Sequence, residues 1–357
     1  MRNTLRILKI LSVAFILLSI VMMPFCGCAK EKAPVKNVIL LIGDGMGQNH
    51  VEGTKIYCGI NSLNMESCPY RGLVNTTSKD GVITDSAAAA TAMATGIKVY
   101  NSAISKHEGN DLKTVTEYAI ENNKSTGIAV TKALNDATPA AFSSHSFFRY
   151  DKKNISMQQV NSGIDILMGE NDENYTSLMQ DISNNGYQYI DSKEDFNDIK
   201  SSKIFALFDS LTPDKEPSLA YMTEKAISAL DRDNKDGFFL MVEGSKIDSR
   251  SHSNDFEGMT KELTAFDQAV KAALDFAEKD GNTLVIVTAD HETGNLILPD
   301  NPTKESLNNS CFKSGDHTAN KVYYFAYGTT ADAIPEEIEN TDIFHIIMSA
   351  FKFSENT

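Results

Sequence analysis

A serine at the start of an alanine-rich stretch is the first feature of this sequence that suggests chemistry. Ser86 follows Thr84 and Asp85, and four alanines come directly after it. Threonine, aspartate and serine all favour the N-cap position, so we expect a helix to begin among these three residues. Backbone N–H groups at a helix start attract anions, so the Ser86 hydroxyl would lie where a phosphate group can bind. A capped helix of the protein core would show the same pattern.

Carboxylates and histidines form the second chemical pattern. Four of them closely follow short apolar runs: Asp44, Glu243, Asp290 and His291. Asp248 and His252 are four residues apart, which places both on one side of a helical turn. A cluster of carboxylates and imidazoles is costly inside a protein unless cations are present. Oxygen and nitrogen ligands together suit zinc, and a subset of oxygen ligands alone suits magnesium.

The apolar runs indicate how these residues are positioned. Runs typical of buried strands occupy residues 38–42, 127–131, 238–242, 284–287 and 322–326. Helical patterns at 217–230 and 256–279 alternate with them. This alternation predicts an α/β fold, a three-layer α/β/α sandwich around a large, mainly parallel central sheet. Ligands of such sheets bind at the carboxyl ends of the strands, where the acidic residues and histidines are expected.

The glycine-rich turn after the first strand has two interpretations. Three of the five residues at 43–47 are glycines, which invites a dinucleotide-site reading. Their spacing differs from the GxGxxG fingerprint of such sites. Asp44 would also place a carboxylate where a pyrophosphate has to lie. A metal ion between this carboxylate and a phosphate is the better interpretation.

Polar residues that could contribute to a site follow the predicted strand at 127–131. Asp136 and Thr138 come first, and Arg149 follows. The proline after Thr138 disfavours helical geometry at Thr138, so we expect its hydroxyl to be turned toward a site. The alternative is a plain turn that starts a helix.

The N-terminus predicts export. Three basic residues within the first nine precede an apolar stretch over residues 10–23, which is shorter than a membrane span and typical of a signal peptide. The glycine–cysteine pair at 27–28 is similar to the end of a bacterial lipoprotein cleavage box. We therefore expect a signal peptide at 1–27, a tether at 28–36, and a lipid on Cys28 that attaches the protein to the membrane. Ordinary signal cleavage, with a secreted or periplasmic product, is the alternative.

Composition and cysteine content limit the class of protein. The net charge of −15 over 357 residues disfavours binding to nucleic acid. Neither an internal repeat nor a low-complexity linker interrupts residues 37–353, so we expect one catalytic domain there. Cys58 and Cys68 could pair in an oxidising compartment, which would leave Cys311 unpaired, and the sequence leaves this open.

Six motifs, in the order in which the alkaline phosphatase family has them, resemble that family. They lie at residues 43–47, 84–88, 136–141, 243–252, 288–291 and 317–318, with Arg149 after the third. The resemblance covers nearly all of the mature sequence. It implies a metal-dependent phosphomonoesterase that transfers phosphate to Ser86 and then releases it as inorganic phosphate, and the N-terminal pattern adds export to this prediction.

The resemblance also implies three metal sites and two residues that contact phosphate, Ser86 as the nucleophile and Arg149 as the clamp. The first zinc ion would be bound by Asp248, His252 and His317. The second zinc ion, beside Ser86, would be bound by Asp44, Asp290 and His291. One magnesium ion would be bound by Asp44, Thr138 and Glu243, with Asp136 behind them. Two metal ions about 4 Å apart can stabilise the attacking and leaving oxygens of an in-line displacement.

Two features depart from the pattern of larger relatives. Only 25 residues separate His291 from His317, which leaves little or no room for a crown insertion. Ser249 stands where some relatives have lysine, so we expect bound phosphate to experience less positive charge unless Arg250 supplies it. The sequence does not determine the natural substrate, and a homodimer is one of the oligomeric states that it leaves open.

Three other functions compete with this prediction. A phosphodiesterase of the same superfamily would use similar motifs. A sulfatase would need a modifiable Cys or Ser in a Cys/Ser-x-Pro-x-Arg context, whereas Ser86 is followed by alanines. A non-catalytic, metal-bound lipoprotein that captures phosphate would have no need of the nucleophile.

Overall fold

The computed structural model describes residues 35–199, 201–232 and 234–354. Its strands are β1 Asn37–Gly43, β2 Tyr70–Asn75, β3 Lys106–His107, β4 Asn110–Asp111, β5 Ser125–Ala133, β6 Ile166–Glu170, β7 Gln188–Ile190, β8 Ile204–Phe208, β9 Phe238–Gly244, β10 Thr283–Thr288, β11 Glu292–Thr293, β12 His317–Thr318, β13 Val322–Gly328 and β14 Glu337–Glu339.

The α-helices of the same part of the chain connect these strands. They are α1 Gln48–Cys58, α2 Ser86–Thr95, α3 Val115–Glu121, α4 Ala137–Ser143, α5 Lys152–Asn161, α6 Met179–Asn184, α7 Leu219–Leu230, α8 Lys246–His252, α9 Phe256–Asp280 and α10 Asp342–Phe351. Short 3₁₀ helices occupy Asn64–Ser67, Glu173–Leu178, Glu194–Asp198, Lys304–Ser306, Asn309–Cys311 and Ala331–Ala333.

The main sheet has ten strands in the order β14-β2-β13-β10-β1-β9-β5-β6-β8-β7. From β10 to β7 every neighbouring pair is parallel, and only β13 runs antiparallel to both of its neighbours. All five predicted strands belong to this sheet. The prediction of a large, mainly parallel central sheet is therefore confirmed.

Helices cover both faces of the sheet, because its central strands are apolar on both sides. Every residue of β1, β9 and β10 is buried. On one face α9 packs against these strands and against α7, with Leu263, Phe266 and Val270 among its buried residues. A second group of helices contains α2 and α4, which pack against each other, and α3, which contacts β5 and β9. This is the three-layer arrangement that the sequence predicts.

The structure differs from the sequence-based expectation at Thr138. This residue lies inside α4, in helical geometry, so the prediction that Pro139 pushes it out of a helix is wrong. The physical reason is the position of the proline. Pro139 lies in the first turn of α4, where a backbone N–H has no intrahelical acceptor and its loss costs little. The structure shows a helix start here, and the direction of the Thr138 hydroxyl toward a site stays a prediction.

Cys58 is exposed while Cys68 and Cys311 are buried, and all three are free thiols, so the bridge that the sequence left open is not formed. Burial raises the pKa of the Cys68 thiol to about 12. None of the helices in the described part of the chain has the length and apolar character needed to cross a membrane. The predicted signal peptide and Cys28 lie outside the described residues.

Candidate active site

Ser86 is the first residue of α2, within the three-residue window that the N-cap pattern predicts. Asp85 is the N-cap, and its Oδ1 accepts a hydrogen bond from the backbone N–H of Ala88 at 2.9 Å. Ser86 is only 4% exposed, and its Oγ lies 3.3 Å from Nε2 of His291. The hydroxyl therefore lies at the positive end of a buried helix, in contact with an imidazole.

The register of the parallel strands brings the acidic residues to one edge of the sheet. Ile42 of β1 pairs with Glu243 of β9 and with Thr288 of β10, and Gly43 pairs with Gly244. Residues that follow these positions leave the sheet side by side. Asp44 and Asp290 are therefore neighbours although they are far apart in the sequence, as expected for strand ends at a carboxyl edge.

The turn after β1 requires glycine at position 45. Gly45 has a φ of +72°, and a Cβ atom there would lie 2.7 Å from Oγ1 of Thr293 and 3.0 Å from Cα of Asp248. Its backbone N–H donates to Oδ1 of Asp290 at 3.0 Å. The glycine-rich turn thus allows the backbone to pass close to two site carboxylates and to orient one of them.

The inner cluster consists of Asp44, Asp290 and His291, each at most 2% exposed. Nε2 of His291 lies 3.3 Å from Oδ2 of Asp290 and 3.6 Å from Oδ1 of Asp44. Both of these carboxylate oxygens are buried without a hydrogen-bond partner. Three ligand atoms of the types that zinc prefers therefore converge, close enough together to hold one ion.

Thr293 determines which nitrogen of His291 carries the proton. The hydroxyl of Thr293 donates to Oδ1 of Asp248 at 2.7 Å, so it accepts the hydrogen bond from Nδ1 of His291 at 3.2 Å. Nε2 is then the unprotonated nitrogen. Burial lowers the pKa of His291 to about 4, which keeps the ring neutral. When Asp44 is ionised, the inner cluster therefore presents three lone pairs with no hydrogen atom between them, and a metal ion satisfies all three.

The outer cluster consists of Asp248, His252 and His317. Nε2 of His252 lies 3.1 Å from Oδ1 of Asp248 and 3.1 Å from Nε2 of His317. Nδ1 of His252 donates to the carbonyl of Gly315 at 2.6 Å, and Nδ1 of His317 donates to the carbonyl of Thr84 at 2.9 Å. In the neutral rings both Nε2 atoms are therefore acceptors that face each other. Only a cation or a shared proton satisfies this arrangement.

The two clusters are adjacent. The rings of His291 and His317 stack with their centroids 3.6 Å apart, and these two histidines together with Asp248 also form a group that could hold an ion. Asp248 is connected to the inner cluster through the hydroxyl of Thr293. Two cations bound here would be close neighbours, as a two-metal mechanism requires.

The pKa values of the site carboxyls show how much negative charge is gathered at this edge. Burial and the neighbouring carboxylates of Asp248 and Asp290 raise the pKa of Asp44 well above its usual range. Burial likewise raises the pKa of Glu243 to about 8. Burial opposes the charge on Asp248 too, but His252 and His317, which donate to this carboxylate when Nε2 carries a proton, hold its pKa well below the usual range. A metal ion that binds here displaces protons, so its affinity rises with pH.

The third predicted set is Asp44, Thr138 and Glu243, with Asp136 behind them. The carboxylates of Asp44 and Glu243 are close enough to affect each other's charge, and so are those of Glu243 and Asp136. Asp136 is the N-cap of α4 and Thr138 lies in its first turn. Oε2 of Glu243 is buried without a hydrogen-bond partner, which suits a cation. This position, however, has a neighbour that the sequence-based interpretation did not include.

That neighbour is Lys132, near the end of β5. Its Nζ lies 3.5 Å from Oδ2 of Asp44 and 3.3 Å from Oδ2 of Asp248. Burial lowers the pKa of Lys132, but the carboxylates of Asp44 and Asp248 outweigh it and raise the pKa above its ordinary value. The lysine is therefore a charged member of the site in the protein without metal.

Arg149 is held beside Ser86 by two carboxylates. Its Nη1 donates to Oδ2 of Asp85 at 3.1 Å, and its Nη2 lies 3.7 Å from Oδ1 of Asp136. Oδ2 of Asp85 also accepts from the backbone N–H of Ser102. The guanidinium therefore has a fixed orientation next to the N-terminus of α2, where a rigid fork can take two oxygens of a phosphate.

Arg250 does not supply the charge that is missing at Ser249. Its Nη1 lies 3.3 Å from Oδ2 of Asp255, and its Nε lies 3.7 Å from Oε1 of Glu262. Both partners belong to the start and the body of α9, so the guanidinium is engaged there. Lys132 is instead the lysine that contacts the site carboxylates.

Sequence reasoning missed three residues of this site. The sequence predicts Asp85 only as a helix cap, although it also orients Arg149. Thr293 carries no motif, and its role depends on contacts with Asp248 and His291. Lys132 offered a weak signal, because a charged residue at the end of a buried apolar strand points to the same edge as the acidic residues.

Comparison with known proteins agrees with this geometry. The sequence matches the family model of alkaline phosphatase over residues 35–171 and 169–304. It is 42% identical to alkaline phosphatase 3 of Bacillus subtilis over 74% of this chain and 62% of that protein. It is 31% identical to the alkaline phosphatase of Escherichia coli over 89% of this chain and 86% of that protein.

A solved structure is similar over almost the whole fold. The alkaline phosphatase from the Antarctic bacterium TAB5 superposes with a TM-score of 0.83 at 34% identity, covering 90% of this chain and 100% of that one. The chain spans about 62% of alkaline phosphatase 3 and about 65% of alkaline phosphatase 4 of Bacillus subtilis. The similarity to the TAB5 structure, by contrast, covers that whole chain.

Proposed function

Because this chain belongs to the alkaline phosphatase family, we propose that it hydrolyses phosphate monoesters through a phosphoserine formed on Ser86. The observation that carries the proposal is the inner cluster beside this serine. One unprotonated imidazole nitrogen and two carboxylate oxygens without a hydrogen-bond partner converge there, close enough together to hold one ion. The imidazole nitrogen, Nε2 of His291, lies 3.3 Å from Ser86 Oγ. A nucleophile next to a metal site at a helix N-terminus is suited to phosphoryl transfer.

The inner and outer clusters would each hold one zinc ion. The donors of both clusters are imidazole nitrogen and carboxylate oxygen, which zinc prefers. In the inner cluster the two carboxylate oxygens have no other partner, and in the outer cluster two imidazole nitrogens face each other. When bound, zinc would stabilise the Ser86 oxygen as an alkoxide and the charge that develops on the leaving oxygen. The resemblance implies magnesium at Asp44, Thr138 and Glu243, but Lys132 already contacts Asp44 there, so we give magnesium no part in the reaction.

The protein residues carry out the transfer itself. Ser86 Oγ loses its proton to solvent and attacks phosphorus opposite the ester oxygen, whose bond to phosphorus breaks as the alcohol leaves with a proton. A water molecule then attacks the phosphoserine, the bond between phosphorus and Oγ breaks as Oγ regains a proton from the water, and inorganic phosphate departs. Arg149, oriented by Asp85 and Asp136, holds two of the phosphate oxygens throughout.

The test is hydrolysis of a chromogenic phosphate monoester and of the matching diester by protein stripped of metal with a chelator. We expect no turnover of either substrate without metal, and monoester turnover that returns as zinc is added. Faster hydrolysis of the diester would favour a phosphodiesterase. Tight binding of phosphate without any turnover would favour a capture protein.

We also propose that the protein is exported and held at the membrane by a lipid on Cys28. The basic and apolar pattern of residues 1–27 and the glycine before Cys28 support this. Cys28→Ser should then move the protein from the membrane fraction of the native host to soluble or unprocessed material. Fractionation that does not change, with a mature N-terminus beyond Cys28, would indicate ordinary secretion instead.

A further inference from the structure

Lys132 lies between the two metal-binding clusters without belonging to either. It is in β5, whose Val130 pairs with Glu243 of β9, so its side chain starts at the carboxyl edge of the sheet beside the site. The side chain is 22% exposed, and its Nζ contacts Asp44 at 3.5 Å and Asp248 at 3.3 Å. One lysine therefore joins a carboxylate of the inner cluster to a carboxylate of the outer cluster.

The contacts of Lys132 leave the zinc-binding atoms free. Asp44 directs Oδ1 toward His291 in the inner cluster and Oδ2 toward Lys132. Asp248 directs Oδ1 toward His252 in the outer cluster and Oδ2 toward Lys132. Each carboxylate thus divides its oxygens between a metal cluster and the ammonium, so the lysine and two zinc ions can be present together.

A magnesium ion cannot share this position easily with the lysine. Magnesium requires near-octahedral oxygen ligands at about 2.0–2.1 Å, and the remaining ligand atom of Asp44 is Oδ2. That oxygen already accepts from the Lys132 ammonium. A divalent ion on the same oxygen would lie next to a positive charge in a half-buried site, where like charges repel strongly.

We propose that the Lys132 ammonium is the third cation of this site and takes the place of magnesium. This inference rests on the proposed two-zinc function. The lysine neutralises part of the charge of Asp44, Asp248 and Glu243, and by joining Asp44 to Asp248 it fixes the relative position of the two clusters. It also places a positive charge in the site where Ser249 provides none, which makes phosphate binding less dependent on residue 249.

The test is metal content rather than activity. The three proteins compared are wild type, Lys132→Ala and Lys132→Ser. Each is stripped of metal, loaded with two equivalents of zinc per chain and equilibrated with millimolar magnesium. After desalting, its zinc and magnesium contents are measured by elemental mass spectrometry. We expect two zinc ions and no magnesium in wild type. We expect two zinc ions and about one magnesium ion in both variants, with a melting temperature that magnesium raises only in the variants.

Two further variants make the result specific. Lys98→Ala removes a lysine of similar exposure, 23%, which pairs with Glu339 outside the site, and it should bind no magnesium. Lys132→Ala combined with Glu243→Gln should lose the magnesium that Lys132→Ala gains, because Glu243 would be one of its ligands.

The possible outcomes separate this inference from the proposed function. Wild type with two zinc ions and a full equivalent of magnesium would overturn the role of Lys132 alone. Folded Lys132→Ala and Lys132→Ser proteins without magnesium would do the same. Wild type that binds no zinc would overturn the proposed function together with this inference.

Discussion

Ser86→Ala is expected to lower kcat for a phosphate monoester on the order of a thousandfold or more while both zinc ions stay bound. Ser86 provides the oxygen that accepts the phosphoryl group, and alanine offers no atom that can replace it. The carboxylate and imidazole ligands proposed for both zinc ions, in the inner and outer clusters, are all unchanged in this variant. A thousandfold loss corresponds to about 4 kcal/mol of activation free energy.

Steady-state kinetics and zinc content of the same preparation check this prediction. Brief mixing of wild type with substrate at mildly acid pH, followed by peptide mass spectrometry, should also find phosphate on Ser86. Ser156→Ala is the matched control, because Ser156 is equally buried but accepts from Asn135 instead of facing the clusters. Ser86→Ala protein with turnover within tenfold of wild type, or phosphate on a different residue, would contradict the mechanism.

Local sequence patterns were sufficient to predict most of the fold. Runs such as 238–242 are apolar at every position, which is typical of strands covered on both faces, and β9 is buried throughout. Short strands within polar surroundings were missed. β6 and β8 lie in the stretch 150–236, where the sequence patterns predict only the helix at 217–230. Both strands are five residues long and lie among many polar residues, so the local signal for a strand is weak.

The site could be predicted where a residue of a suitable chemical type also follows the end of a predicted strand. Asp44 and Asp290 follow strands whose carboxyl ends meet at one edge, so their proximity follows from the sequence alone. The role of Lys132 could not, because its two partners are 88 and 116 residues away in sequence and a lysine at a strand end is usually solvated. Contacts between distant residues depend on register, which no local pattern specifies.

Asp44→Asn is expected to remove one of the two zinc ions and most of the activity. The substitution keeps the size of the side chain but replaces a carboxylate of the inner cluster with a neutral amide, a weaker zinc ligand. Asp290 and His291 would remain. We expect the affinity of the inner cluster for zinc to fall about a hundredfold or more, which corresponds to about 2.7 kcal/mol or more. Because this cluster lies next to Ser86, trapping of phosphate on Ser86 should decline in parallel.

The same substitution should have the opposite effect on the protein without metal. Burial and the carboxylates of Asp248 and Asp290 raise the pKa of Asp44, so the folded protein holds this proton more tightly than the unfolded chain does. In the protein without metal, the free energy of unfolding therefore decreases as pH rises above the ordinary pKa of an aspartate, because Asp44 ionises more readily in the unfolded chain. At pH 8 in a chelator, Asp44→Asn should consequently melt at a higher temperature than wild type.

Asp267→Asn distinguishes a ligand role from a structural one. Asp267 is as buried as Asp44, at 2% exposure, but accepts hydrogen bonds from the backbone N–H groups of Asn64 and Met65 away from both clusters. This control should keep two zinc ions and lose stability in chelator, because an amide cannot replace all of those acceptor contacts. Zinc titration and thermal melting of wild type, Asp44→Asn and Asp267→Asn measure zinc affinity and stability separately. If Asp44→Asn still bound two zinc ions as tightly as wild type, Asp44 would not be a ligand of the inner cluster, and the two-metal assignment would have to be abandoned.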